Sequence, residues 1–155
     1  MSESAPVMLA LVSGGQTGVD RAALDVAMER GMAAGGWCPA SRWAEDGPIA
    51  AGYPLRETPS ADPAQRTEWN VRDSHGTLLL VTDAASAGTE LTREAAQRLG
   101  RPLHLARVDE APDVDHFRRW LHAHEITILN VAGPRESESP GIRQSAHGYL
   151  RAVLP

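Results

Sequence analysis

A glycine-rich turn between an apolar run and a helical stretch limits this chain more than any other feature. Val7-Met8-Leu9-Ala10-Leu11-Val12 is short, bounded by Pro6 and by the glycines that follow, and reads as a buried strand. From Val19 to Arg30 the spacing turns helical, with Val19, Ala23, Val26 and Ala27 on one stripe and Gly31 just past the end. Between the two lies Ser13-Gly14-Gly15-Gln16-Thr17-Gly18.

Such a turn suits an anion. The first N–H groups of a helix have no partner inside it, and the macrodipole places about half a positive charge at that end. Gly14, Gly15 and Gly18 let the backbone approach a ligand closely, and Ser13, Gln16 and Thr17 add side-chain hydrogen bonds. A phosphate, a molybdate-like ion or a carboxylate is the expected guest. The alternative is a tight turn whose glycines serve packing alone. Ser13 stands at the first glycine position of the dinucleotide fingerprint, and Ala33 to Pro39 lacks the acidic residue that would hold a ribose. No Lys follows the glycines, which argues against a nucleotide-triphosphate loop.

The rest of the chain repeats the pattern. Met32 to Trp37 is a weak strand, and Pro39 to Pro63 is expected to be a long irregular loop, of the kind that serves as lid, binding loop or subunit contact. Arg66 to Ser74 reads as a short helix on which Arg66, Glu68, Asn70 and Arg72 cannot all share one face, so some point inward or toward the pocket. Thr77 to Thr82 is apolar enough for burial on both faces of a sheet. It runs through Ser86-Ala87-Gly88-Thr89 into a helix from Glu90 to Leu99, with Thr89 serving as N-cap or as ligand contact. Further strands are expected at Leu103 to Val108 and Ile126 to Ala132, with helices at Val114 to His124, capped by Asp113, and Ile142 to Leu154.

Alternating strands and helices predict a single α/β domain, a mostly parallel sheet of about five strands covered on both faces. Right-handed crossovers then bring the strand-to-helix loops to one edge, where ligands of such folds bind. The loops expected to meet there are Ser13 to Gly18, Ser86 to Thr89 and Gly133 to Ser139, forming one electropositive cradle. Arg135 is the best cationic partner for an anion, because its planar guanidinium grips two oxygens, with Ser137 beside it.

Composition excludes several classes. A net charge of −5 leaves no basic surface for a nonspecific hold on nucleic acid. No transmembrane run is visible, and Met1 to Pro6 has no basic start leading into a signal region. With its single cysteine the chain suits a reducing cytoplasm, where it is expected. Cys38 is the only cysteine, which rules out an internal disulfide and a multi-cysteine zinc site. It reads as a small buried residue or as a soft ligand for a metal or cofactor. The histidines are scattered, and His122 and His124 point to different helix faces, so no structural metal is predicted.

Several stretches in order resemble a known family. Leu11 to Ala22, Gly35 to Pro39, Ala44-Glu45-Asp46-Gly47-Pro48-Ile49, Arg66 to Ser74 and Asn130 to Ser137 are similar to the molybdenum (cofactor) carrier family. It sits in the Rossmann-like superfamily that includes lysine-decarboxylase-like (LOG) and DprA-like proteins. The resemblance implies an oligomeric Rossmann-like protein that holds the molybdenum cofactor (molybdopterin), or otherwise a nucleotide, and passes the cofactor to molybdoenzymes. The LOG phosphoribohydrolases carry a Gly-Gly-x-Gly-Thr-x-x-Glu loop whose Glu acts on the ribose. Here Thr92 stands at that position, and Glu90 is turned roughly 200° away on the helix.

The expected function is therefore the binding of a phosphate-bearing ligand by Ser13, Gly14, Gly15, Gln16, Thr17, Gly18, Ser86, Gly88, Thr89, Gly133, Arg135 and Ser137. One alternative is a nucleoside-phosphate hydrolase or transferase using Glu45, Asp46 or Glu68 as general base. Another is a ligand-sensing subunit in which the proline-rich loop serves assembly.

Overall fold

The structure, a computed structural model, describes residues 8–83 and 86–155. The expected strand start at Val7, the stretch Met1 to Pro6, and Ala84 and Ala85 of the second loop lie outside the described residues. In chain order the elements are β1 (Ala10–Val12), α1 (Val19–Glu29), β2 (Ala34–Gly35), β3 (Trp37–Cys38), β4 (Arg56–Glu57), α2 (Pro63–Arg72), β5 (Gly76–Val81), α3 (Ala87–Leu99), β6 (Leu103–Arg107), α4 (Val114–Ala123), β7 (Ile128–Ala132) and α5 (Ile142–Val153). Five strands form a parallel sheet in the order β2-β1-β7-β5-β6, giving an α/β domain of Rossmann-like architecture.

The order fixes where the helices go. The step from β1 to β2 runs toward one edge and the step from β5 to β6 toward the other. Right-handed crossovers therefore put α1 and α3 on opposite faces. On one face α1 packs against α5, which also meets α4, and on the other α2 packs against α3. The main core joins Leu24 and Val26 of α1, Phe117 of α4 and Leu150 of α5 to Leu78, Leu80 and Leu129 of the sheet. A smaller cluster of Val71, Ala95 and Ala96 fills the other face. Leu78, Leu79 and Leu80 of β5 are fully buried, and each such side chain contributes about 1.5–3 kcal/mol, which explains why this apolar run takes an inner position. Arg30, just past α1, donates from Nη1 to Leu154 O at 2.7 Å and from Nη2 to Arg151 O, closing the carbonyl end of α5.

Several boundaries differ from expectation for local reasons. The weak strand at Met32 to Trp37 splits into β2 and β3 at Gly36, whose φ of 131° carries the chain out of the sheet. A Cβ there would stand 2.3 Å from Ser13 O. The stretch expected to be irregular contains a 3-10 turn at Ala40–Arg42 and the strand β4, which pairs with β3. It is held from within by Arg42, whose guanidinium donates to the carbonyls of Ile49, Ala50, Tyr53 and Leu55. The α2 helix starts at Pro63 rather than Arg66, because Asp62 caps it by accepting from Ala64 N at 3.0 Å. Likewise α3 starts at Ala87, with Ser86 rather than Thr89 as N-cap. The last strand begins at Ile128, not Ile126, since Ile126 N is bonded to Leu121 O at the end of α4.

Candidate functional site

A cleft of about 230 Å3 opens at the carboxyl ends of the strands, where the loops after β1 and β7 and the start of α3 face α2. This is the crevice beside the point where the sheet order reverses, the usual ligand position in open α/β sheets. Gly14 and Gln16 enter it from the first loop, Gly88 and Thr92 from α3, Asn130, Gly133 and Arg135 from β7 and its loop, and Arg66 and Asn70 from α2. Of the alternate residues on α2, Arg66 and Asn70 are the ones turned inward and buried.

Its floor is an ion pair. Asp20, in the first turn of α1, accepts from Gln16 N at 3.2 Å and lies 3.7 Å from Arg66 Nη1. Arg66 also donates to Gly14 O at 2.8 Å. Burial pushes the Asp20 carboxyl up, against the opposing pull of Arg66 and of the hydrogen bond from Gln16 N. Arg66 remains a guanidinium cation. Arg135, at the rim, pairs with Glu138 at 3.1 Å and lies 3.8 Å from Glu45. The lining thus carries the carboxylates of Asp20, Asp62 and Glu138 against the guanidiniums of Arg66 and Arg135. That corrects the expectation of an electropositive cradle: the cleft is of mixed charge, with more carboxylates than cations among the described residues.

The first loop also differs from the expected open cradle. Gln16 N is taken by Asp20, Thr17 N by Gln16 Oε1 at 3.0 Å, and Val19 N by Pro134 O at 3.2 Å. Ser13 spends its hydroxyl on Val131 O at 2.6 Å. Gly15 and Gly18 back onto protein: a Cβ would meet Leu55 Cδ1 at 2.5 Å in the first case and Pro134 O at 2.4 Å in the second. Thr17 and Ser137 face Glu45, which accepts from both hydroxyls and from Ser137 N at 3.1 Å. The Ser86 hydroxyl accepts from Thr89 N at 3.4 Å, and the Thr89 hydroxyl donates back to Ser86 O at 2.8 Å. Of the expected ligand residues, the structure therefore brings Gly14, Gln16, Gly88, Gly133 and Arg135 to the cleft lining, and gives Ser13, Gly15, Thr17, Gly18, Ser86, Thr89 and Ser137 bonds or packing outside it.

The carboxylates considered as bases stand elsewhere. Burial raises Glu45, but the Ser137 and Thr17 hydroxyls and the Ser137 N–H outweigh it and hold the carboxyl below its ordinary value. Asp46 is gripped by both terminal nitrogens of Arg21 at 2.8 Å, which lowers it as well. Glu68 lies on the outer side of α2, paired with Arg98 at 3.4 Å. Lowered by these partners, the Glu45 and Asp46 carboxylates are poor proton acceptors. Cys38 is buried among Ala44 and Ile49, away from the lining, and burial pushes its thiol up.

Sequence reasoning missed Asp20, Thr92 and Asn130 as lining residues; of Arg66, Glu68, Asn70 and Arg72 it expected some to point inward or toward the pocket, and Arg66 and Asn70 are the ones that line the cleft. Asn130 carried a signal, as the one amide within the otherwise apolar run Ile128-Leu129-Asn130-Val131-Ala132. Its Nδ2 donates to the buried Thr77 hydroxyl at 3.2 Å. Thr92 lines the cleft, and its hydroxyl donates to Gly88 O at 3.0 Å.

Comparison with known proteins agrees with this architecture. The chain is similar to a solved structure named "Putative molybdenum carrier protein" from Syntrophus aciditrophicus SB, at 38% identity, covering 97% of each chain with a TM-score of 0.90. No curated protein matches it. Residues 11–154 match the circularly permutated YpsA SLOG family, and the chain belongs to that family.

Proposed function

We propose that this chain is a binding protein whose cleft holds an oxyanion-bearing small molecule: the molybdenum cofactor, as the name of its structural relative suggests, or otherwise a nucleotide. The observation that carries this reading is the meeting of Arg66 and Arg135 with the backbone of Gly14, Gly88 and Gly133 in one cleft. Gly88 leaves room for a ligand close to the main chain, whereas the space beside Gly14 and Gly133 is filled by Arg66, Asp20, Val19 and the Leu80 carbonyl; guanidiniums pair with phosphate oxygens. The mixed charge fits a ligand that is more than an anion. The amino and ring N–H groups of a pterin or a purine match the carboxylates of Asp62 and Glu138, while its phosphate matches the arginines.

The lining residues include neither cysteine nor histidine among the described residues. A molybdenum cofactor would therefore be held as cargo through its phosphate and pterin, not through the metal. At about 230 Å3 the cleft takes a phosphate with part of a ring, and the remainder of such a ligand lies outside it. Thr92 in place of a catalytic Glu supports carriage over glycosidic hydrolysis. We further propose assembly into a homo-oligomer in the cytoplasm and delivery to molybdoenzymes. Among the described residues no helix is long and apolar enough to cross a membrane.

Mass spectrometry and metal analysis of the gently purified protein test the reading: a bound pterin phosphate or nucleotide is expected, and its absence together with no binding of either when added overturns it. Arg135→Ala is expected to weaken binding by about 1.5–3 kcal/mol through loss of a charge-assisted contact.

A further inference from the structure

The floor of the cleft raises a physical question that the binding reading does not answer. Asp20 and Arg66 are charged groups whose side chains are 11% and 9% exposed, at the bottom of a cleft open to solvent. Desolvating such a pair costs about as much as its attraction returns, so stability alone does not explain it. The position of Asp20 is informative. Its carboxylate sits beside a guanidinium, accepts a loop N–H from Gln16, and lies at the positive end of α1. These are the surroundings that draw an oxyanion.

Resting on the oxyanion-binding reading, we propose that Asp20 is the internal occupant of the oxyanion subsite and that an oxyanion arriving at Arg66 binds with uptake of a proton by Asp20, so that binding tightens as pH falls. With Asp20 ionised, Arg66 is already neutralised and a second anion is repelled across the same few ångströms. With Asp20 protonated, the repulsion is gone and Arg66 is released to the ligand. The protonated carboxyl still offers an oxygen to Gln16 N.

The groups facing Asp20 are Arg66 from α2, Arg21 from its own helix, and Ser13 and Gln16 from the loop; Cys38 and Arg135 act on Arg66 from behind and from the rim. Burial already biases Asp20 toward its neutral form. Asp62 and Glu138 are the other carboxylates of the lining, and no histidine belongs to it among the described residues.

Sulfate is the probe, because its charge does not change between about pH 5 and 8, and titration calorimetry of the full chain supplies the readout. We expect sulfate affinity to rise about tenfold or more from the upper to the lower end of that range. Repeating the titration in buffers of different ionisation heat should show up to about one proton taken up per sulfate at the upper end. Asp20→Asn is expected to bind with the low-pH affinity of the parent at every pH. Glu138→Gln is expected to keep the slope whatever it does to affinity. Sulfate binding by the parent without proton uptake, a slope that survives in Asp20→Asn, or one that vanishes in Glu138→Gln overturns the inference while leaving the binding reading intact. No sulfate binding at any pH overturns the inference together with the assignment of an oxyanion to this cleft. Should Asp20→Asn fail to fold, the proton count of the parent protein decides.

Discussion

The β1–α1 and β5–α3 junctions are alike in composition and opposite in behaviour. Each passes from a strand to a helix start marked by Ser, Gly and Thr: Ser13 to Gly18 before α1, and Ser86 with Gly88 and Thr89 in the first turn of α3. At the first, the chain fills its own loop: Asp20, Gln16 and Pro134 accept from the N–H groups of Gln16, Thr17 and Val19. Gly15 and Gly18 have φ of 78° and 80° and press against neighbouring residues. At the second, Ser86 and Thr89 cap α3 reciprocally, and Gly88 has nothing nearer to a would-be Cβ than Ser86 Oγ at 3.7 Å. Glycine in the first junction permits close packing of protein on protein. In the second it leaves one side of the cleft open.

Alanine replacements test that contrast most sharply. Gly18→Ala is expected to cost about 3 kcal/mol, since the positive φ is strained for any residue with a Cβ and that atom would collide with the Pro134 backbone. Gly88→Ala is expected to be neutral or to stabilise by up to about 1 kcal/mol, because alanine suits a helix better and the space is free. Denaturant unfolding of both variants checks this. Equal costs would erase the distinction between a packed and an open junction.

A smaller effect separates the two sides of the cleft rim. Glu45 ties the first loop to the β7 loop through Thr17 and Ser137, and its side chain is 18% exposed. Glu45→Gln keeps the shape but loses the charge and one acceptor, for an expected cost of about 1–2 kcal/mol at neutral pH. The folded-state pKa of Glu45 lies below its ordinary value. Its contribution is therefore complete above the ordinary carboxylate pKa and is lost as pH falls through the depressed one. The gap between parent and variant should close in acid, as measured by denaturant titrations at stepped pH; a gap that stays constant would mean the bond has little to do with charge.

The two junctions also show what could be read before the structure. The alternation of strands and helices was legible because periodicity and apolar runs such as Thr77 to Thr82 are local properties. So was the gathering of loops at one edge, since handedness leaves little freedom. The filling of the first loop was not, because it depends on Asp20 turning back onto Gln16 and on Arg66 arriving from a different helix. Whether a backbone N–H is free is a tertiary fact. Asp62-Pro63 is an intermediate case: the cap and first-turn proline are a known helix start, yet they sit at the end of a proline-rich stretch that reads as loop. Arg42, which binds four carbonyls of that stretch, looks like any surface arginine in the sequence.

The smallest expected effect concerns the outer side of α2. Arg66 and Asn70 turn toward the cleft, while Glu68 faces α3, where it meets Arg98 at 3.4 Å with both side chains about half exposed. An ion pair of that exposure contributes at most about 0.5 kcal/mol. Glu68→Gln should therefore leave unfolding unchanged within that margin, and it should leave sulfate affinity unchanged as well. The variant also weighs against the hydrolase alternative. If the protein released free base from a nucleoside monophosphate, and if Glu68→Gln abolished that release, the chemistry would belong to the groove between α2 and α3, with the cleft at the strand ends reduced to a structural seam. Retained behaviour in Glu68→Gln beside weakened binding in Arg135→Ala would instead keep the functional face of α2 on the side of Arg66 and Asn70.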